Sequence, residues 1–282
     1  MHKLKTILRQ GYIFIILGLI YLPLLIIVIL SFNGATERGN VNLNFNNVDP
    51  SKAFDAYKQL AEGDFLTPLT TSLIVAFIST PISVFLATIT AFGIWRNKKV
   101  YQKLIMSVSN TSIAIPDIIS ALSLITLFVL IWVSLLLQPL GLFTIIVSHI
   151  SVSTPFALVS IYPRMLKMNP NLILASQDLG YNRIQTFFKI TLSYLMPAII
   201  VGGLIAFATS FDDFVITSFV RGSSRTIATE LYSIRKGIKA WAIAFGAILT
   251  FVGIFATIIA VIKKALSEKV KYKEKIVRSI NK

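Results

Sequence analysis

The run "LTTSLIVAFISTPISVFLATITAFGIW", Leu69–Trp95, holds no charged side chain. It is longer than the roughly 18 consecutive apolar residues that read as a membrane-spanning helix, and that reading decides the fold. Five further runs carry the same signature: Gly11–Phe32, Leu104–Leu137, Leu140–Tyr162, Met196–Val220 and Trp241–Ile262. The composition agrees. With 55% hydrophobic and 14% charged residues over 282 positions and a mean hydropathy of +0.76, a soluble domain could not hide so much apolar surface. The expected fold is an all-α integral membrane protein with six transmembrane helices. The run Leu104–Leu137 is too long for one upright helix, so tilt or a break near Pro116 is expected.

The net charge of +15 could mean a nucleic-acid partner, so its distribution matters. With the N-terminus inside, the stretches 1–10, 96–103, 164–189 and 263–282 fall on the cytoplasmic side and hold 19 of the 27 Lys and Arg. The outer stretches 33–68 and 221–240 hold the other eight, five of them in the second stretch. This asymmetry follows the positive-inside bias and the pull of anionic lipid heads. No nucleic-acid partner is expected. The chain reads as a multi-pass protein of the cell (plasma or inner) membrane with both termini cytoplasmic. Its first apolar run follows Lys3, Lys5 and Arg9 and precedes no small-residue cleavage pattern, so it reads as a retained anchor.

The expected organisation is a basic N-terminus (1–10), a transmembrane domain (11–262) and a basic tail (263–282) lying as a helix at the lipid surface. Outer loops are expected at about 33–68, with a short helix at Ser51–Ala61 entered through Asp49-Pro50, and at about 221–240. A cytoplasmic loop is expected at about 163–193. With no cysteine, there is no disulfide, thiolate nucleophile or Cys-ligated metal. His2 and His149 lie in different regions, and His149 reads as a hydrogen-bonded helix-packing residue rather than a proton relay. Neither a metal site nor a catalytic residue is expected.

Only three acidic residues fall within the six runs: Asp117, Asp212 and Asp213. A carboxylate at a helix centre costs roughly 2.5–3.5 kcal/mol on insertion scales, so intramembrane acids usually face a bundle interior and mark transport routes. Two adjacent aspartates also oppose each other's ionisation unless a cation answers them. Aspartates with Phe211, Phe214 and Phe219 beside them would suit a path for a cation. Successive helical residues point about 100° apart, so one of Asp212 and Asp213 is expected to line a path and its neighbour to meet a facing helix. The alternative places them near the outer interface, solvated or capping a helix end. Asp212 lies about 15 residues beyond Pro197, roughly 22 Å along a helix, which permits the outer third of the bilayer. For Asp117, directly after Pro116, a helix N-terminus supplies a structural reason of its own.

The cytoplasmic loop reads "MLKMNPNLILASQDLGYNRIQTFFKITLSYLMPAI", Met165–Ile199. Asn169 suits an N-cap and Pro170 the first helical position. Leu172, Ala175, Ser176 and Leu179 fall on one face, and Gly180 can end the helix in the left-handed conformation. A second amphipathic helix follows, with Ile184, Phe187, Phe188 and Thr191 on one side. Such a knob fits a groove on a partner, or packs on its own bundle.

"LASQDLG" (174–180), followed by Ile190-Thr-Leu192, resembles the Glu-Ala-Ala loop of ABC importer permeases. The likeness extends along nearly the whole chain and is to the permease subunits of spermidine/putrescine importers. It is carried by "YLPLLIIVILSFN" (21–33), "IPDIISALSLITLF" (115–128), "SHISVSTPF" (148–156), "MPA" (196–198) and "SFDDFVITSFVRG" (210–222). The resemblance implies type I importer architecture, with Leu172, Leu174, Ala175, Ser176, Asp178, Leu179 and Gly180 as a coupling helix. It implies a substrate path along Asp117, Ser210, Phe211, Asp212, Asp213, Phe214 and Phe219. The implied partners are two copies of a cytoplasmic ATPase, a second related permease and an extracytoplasmic polyamine-binding protein. Import rather than export follows from the resemblance as well. Three positions depart from the pattern: Leu174 stands at the motif's Glu, Ser193 at its Pro, and Ala56 where polyamine permeases carry Trp. The first bears on the polar part of ATPase docking and leaves the apolar part intact.

The chain has no G-x-x-x-x-G-K-[ST] phosphate loop, so no cofactor is expected on it, and ATP and Mg belong to the partner ATPase. The function expected is half of a translocation pathway for polyamines. Two alternatives stay open: a permease for another cation, a metal ion or an amino acid, and an ion-coupled carrier or intramembrane enzyme acting alone. The coupling-type segment and the lack of a His, Cys or Ser constellation at catalytic spacing argue against the last.

Overall fold

The structure, a computed structural model, describes residues 2–37, 39–42, 50–62, 65–232 and 237–280, with side chains described except at 2–10, 13–14, 50, 62 and 267–280. Asp49, Arg38, Arg235 and Lys236, which entered the sequence reading, lie outside the described residues. The described residues are helical apart from loops and two isolated bridges, Ala35 with Val41 and Asn40 with Lys239. They divide into two compact units, Met1–Phe65 with Ile234–Lys282, and Leu66–Ser233.

In the first unit, α1 (His2–Leu30) runs straight from the basic N-terminus into the first apolar run. A turn of 3₁₀-helix, Pro50–Lys52, leads to α2 (Asp55–Glu62), which realises the short outer helix. Ala56 is buried against Ala240 and Ala244, so a large side chain at this position would have no room. Tyr57 beside it hydrogen-bonds Ser31 at 2.8 Å and packs on Phe32 and Phe54. The tail departs from expectation. Instead of a separate surface helix, it continues the last span as one helix, α12 (Ala240–Ile280).

The second unit comprises α3 (Leu66–Trp95), α4 (Lys99–Ala114), α5 (Asp117–Leu127), α6 (Leu142–Leu166), α7 (Asn171–Asp178), α8 (Arg183–Thr186), α9 (Leu192–Asp212), α10 (Val215–Val220) and α11 (Ile227–Tyr232). Helices α3, α6 and α9 pack on one another. Lipid tails are as apolar as leucine, so such helices gain little from hiding apolar area and associate through close contact of small residues and hydrogen bonds. The seam shows this. Ala87, Ala91 and Ala157 are fully buried, as are the polar Ser79, Ser83 and Ser148, whereas Phe77, Ile82 and Leu204 stay exposed. Small residues bring the helices close along the seam, and bulky Ile161, Met165 and Leu195 fill its core.

The six runs map unevenly onto this architecture. Leu66–Trp95, Leu142–Leu166, Arg183–Asp212 and Ala240–Leu266 are long and apolar enough to cross a membrane. The described apolar part of α1, Ile15–Leu30, is shorter. The run Leu104–Leu137 is a broken pair, Lys99–Ala114 and Asp117–Val133, bent by 103° at Ile115–Pro116. Pro116 has no N–H and disfavours helix at the residue before it, so the expected break is there and is sharper than tilt. The run Met196–Val220 is also not one helix: α9 stops at Asp212, Asp213 is extended, and α10 starts afresh at Val215. At its other end this span begins at Arg183, through a π-helical segment at Phe187–Thr191. The expected second cytoplasmic helix is therefore the foot of the fifth span, and the cytoplasmic loop is shorter than 163–193.

What remains outside is α7. Asn169 Oδ1 accepts from the N–H of Asn171 at 3.0 Å, and Gly180, at φ +85°, ends the helix with Tyr181 N–H donating back to Ser176 C=O. The face differs from the one expected. Leu172, Leu174, Ala175 and Leu179 are exposed, Leu179 by 80%, but Ser176 is 3% exposed and hydrogen-bonds Thr186 Oγ at 2.9 Å. Ile173, not Leu172, turns inward with it.

Candidate functional site

The break at Asp213–Phe214 opens a cleft of about 520 Å³ within the second unit. Asp212 and Asp213 come to it from the end of α9, Asp117 from the start of α5, and His149 and Phe156 from α6. The three intramembrane aspartates, separated by nearly a hundred residues, thus share one wall. Ser210 and Phe214 line it too. Phe211 and Phe219 do not: Phe211 stacks on Phe207 at 6.0 Å, and Phe219 packs among Val75, Ile145 and Ile216. Tyr232 lines the cleft as well, stacked on Phe214 with centroids 3.9 Å apart and planes within 9°. Helix α11, which carries Tyr232, is tied down at its start by Ser72, whose Oγ accepts from Ile227 N–H at 2.8 Å.

The two neighbouring aspartates have opposite surroundings. Asp213 Oδ2 accepts from both the N–H and the hydroxyl of Thr217 at 2.7 Å, and Oδ1 accepts from Ile216 N–H at 3.3 Å. It therefore caps α10, where an anion is favoured. Its Oδ2 also lies 3.4 Å from His149 Nε2. Asp212 ends α9, where the helix dipole disfavours an anion, and among the described residues it makes no hydrogen bond or ion pair. Its side chain stays exposed at the cleft. Asp117 is likewise exposed and without a protein partner among the described residues, although it opens α5, the favourable end.

His149 sits at the centre of a buried polar chain. Its Nδ1 is 2.7 Å from Ser210 Oγ and its Nε2 is 2.9 Å from Thr217 Oγ1, while Ser210 Oγ is 3.0 Å from Ser79 Oγ. Hydrogen counting orients the chain. Thr217 spends its one hydroxyl proton on the Asp213 carboxylate, so it accepts from His149 Nε2–H. In the neutral ring Nδ1 then accepts from Ser210, which accepts from Ser79. Every donor faces toward Asp213, and α3, α6, α9 and α10 are pinned together. His149 is a packing residue of the kind the sequence suggested, and one that also fixes a cleft carboxylate. We expect His149→Leu to remove the ring partner of the buried Ser210 and Thr217 and to destabilise the protein by roughly 2–3 kcal/mol, read as a lowered Tm in detergent. An unchanged Tm would mean the chain contributes nothing.

Tyr232 and His149 escaped the sequence reading of the site for different reasons. Tyr232 ends a short helix inside the stretch expected to be an outer loop, with no periodic pattern around it. His149 is one polar residue in an apolar run, and nothing in its own segment names Ser210 or Thr217 as partners.

Comparison with known proteins agrees with this architecture. Residues 79–271 match the family described as binding-protein-dependent transport system inner membrane component. The chain is 53% identical over 267 residues to the spermidine/putrescine transport system permease protein PotC homolog of Mycoplasma genitalium, covering 94% of each chain. It is 28% identical over 232 residues to the spermidine/putrescine transport system permease protein PotC of Escherichia coli K12, covering 82% of this chain and 83% of that one. Its fold is similar to that of a bacterial ABC transporter involved in the import of the acidic polysaccharide alginate, with a TM-score of 0.67 at 12% identity over 93% and 96% of the two chains. A family match across most of the second unit and beyond, with a relative half identical along nearly the full length, makes this chain a member of the binding-protein-dependent transport inner-membrane components, the permease subunits of ABC importers.

Proposed function

We propose that this permease carries polyamines, and that Asp212 and Asp117 meet the ammonium groups in the cleft. The observation that carries the reading is Asp212 itself. A carboxylate without a partner among the described residues, at the wrong end of a helix inside a membrane protein, destabilises the empty fold, and a visiting cation compensates it. Aliphatic ammonium chains also suit the stacked Phe214 and Tyr232, which offer ring faces for methylene and ammonium contact. The names of the similar permeases support the same cargo.

In this reading the termini are cytoplasmic, and α7 with exposed Leu172, Leu174, Ala175 and Leu179 enters a groove of a separate ATPase. Asp178 and Gly180 flank that contact, whereas Ser176 supports it from behind. Two such ATPase copies supply the energy, since the chain carries no phosphate-binding loop of its own. A second permease completes the path, and an extracytoplasmic binding protein delivers the substrate. ATP and Mg act on the ATPase, and this chain binds no cofactor.

The test is competition in proteoliposomes holding the whole complex with its binding protein. Unlabelled putrescine and spermidine are expected to suppress ATP-dependent uptake of labelled spermidine, while butylamine, which has one ammonium, leaves it intact. Suppression by amino acids or divalent metals instead of polyamines would overturn the cargo.

A further inference from the structure

We infer that a second, smaller cleft beside the first is a subsite for one ammonium arm of the substrate, and that it sets the preference for longer polyamines. The inference rests on the polyamine reading above and goes beyond it by assigning a place and a selectivity.

The cleft measures about 280 Å³ and is built on the broken pair α4 and α5 with the facing part of α6. It shares Asp117, Val152 and Phe156 with the larger cleft, so the two are contiguous and Asp117 stands at their junction. Its own lining includes Ser112, Ser120, Ser123 and Ser151. Membrane-embedded surface of this kind is ordinarily apolar, and four hydroxyls around one hollow need a reason.

The backbone supplies a second feature. Ser112, Ile113 and Ile115, at the C-terminal end of the sixteen-residue α4, line the cleft. In a continuous helix the carbonyl of Ser112 would accept from residue 116, but Pro116 has no N–H. The 103° bend at the same point carries the following N–H groups away from α4. The carbonyl end of α4, which bears the negative pole of its dipole, therefore terminates at the hollow. Half-helix C-termini inside a membrane are places where cations are held. An ammonium has three N–H donors and needs oxygen acceptors in several directions. Asp117, the α4 carbonyls and the serine hydroxyls supply them.

The consequence is a division of the substrate. One ammonium lies at Asp212 in the large cleft, a second at Asp117, and any further aminoalkyl arm extends into the serine-lined hollow. Putrescine, with two ammoniums, is satisfied by the large cleft and its edge. Spermidine, with an additional aminopropyl arm, uses the hollow as well. At about 30 Å³ per water, the hollow is roomy enough for such an arm to replace several solvent molecules.

The experiment fills the hollow while leaving the large cleft alone. Ser151→Leu places a bulky chain in it, and Ser120→Ala removes one acceptor without bulk. Both are assembled in the full complex and assayed for uptake of labelled putrescine and of labelled spermidine. Ser151→Leu is expected to raise KM for spermidine about tenfold, the scale of excluding a small group from a fitted pocket, with putrescine kinetics unchanged. Ser120→Ala is expected to move spermidine in the same direction by a smaller factor. Putrescine uptake shows in each case that the variant folds and couples. Equal changes for the two amines, or none in either, overturn the subsite while leaving the polyamine reading standing. Failure of the unsubstituted complex to carry either amine overturns the parent reading and the subsite with it.

Discussion

Asp212→Asn is expected to lower kcat/KM for spermidine uptake by about 10- to 100-fold while leaving the Tm of the protein unchanged or slightly raised. The magnitude follows from loss of one charge-assisted hydrogen bond, about 1.5–3 kcal/mol, at 1.4 kcal/mol per factor of ten. The direction of the stability effect follows from position. Asp212 closes α9, where its charge is disfavoured, and no described residue answers it, so the amide removes an unfavourable interaction and keeps the shape. Asp213→Asn should behave in the opposite way. Its carboxylate accepts from Thr217 and Ile216 at the start of α10 and lies beside His149. The amide would turn a donor toward groups that already donate, so Tm falls together with uptake. Thermal melting of the two purified variants, paired with initial uptake rates, separates a residue that meets cargo from one that holds the fold. Wild-type uptake by Asp212→Asn at subsaturating substrate would remove Asp212 from the pathway.

Gly222→Ala is expected to be the most damaging single methyl in the described structure, at roughly 2–5 kcal/mol. Gly222 has φ +55°, a conformation that costs an L-residue about 1–2 kcal/mol. A Cβ there would also lie 2.2 Å from the carbonyl oxygen of Leu140 and 2.7 Å from its carbonyl carbon. Both are backbone atoms, so no rotamer change relieves the overlap. The chain would have to back away, and the surroundings resist. Thr144 Oγ1 donates to Val220 C=O at 2.7 Å and accepts from Gly141 N–H at 2.9 Å, which clamps the end of α10 to the start of α6. Relief of the clash breaks that clamp, and overpacking of this kind costs about 1–3 kcal/mol more. The measurement is recovery of folded protein and Tm in detergent. A variant that melts with the wild type would show that this junction moves more easily than its packing indicates.

Much of this molecule is legible from local chemistry. Uncharged runs longer than a bilayer must be helices, because no other local structure satisfies the backbone in lipid. Pro116 announces its break, and Asn169 and Gly180 announce the ends of α7, since N–H loss, side-chain capping and positive φ are properties of one or two residues. The end of the fifth span was not legible in this way. Hydropathy averaged over Met196–Val220 stays high, so the run reads as one helix, yet α9 ends at Asp212. The stop exists because Asp213 finds Thr217 and His149, and His149 belongs to a helix some sixty residues away in sequence. The inward turn of Ser176 has the same origin: an apolar face predicted by spacing gives way to one hydrogen bond with Thr186.

Sequence alone determined that the chain lives in lipid, that its apolar runs are helical, and that three carboxylates would be out of place there. Those are statements about transfer free energy and backbone conformation, which each segment carries by itself. Tertiary structure decided that Asp117, Asp212 and Asp213 line one cleft, that one of the adjacent pair is tied and the other has no partner among the described residues, and that a hollow lies behind Asp117. Those outcomes depend on distances between helices, and a hydrogen bond forms or fails over a few tenths of an ångström that no linear pattern records.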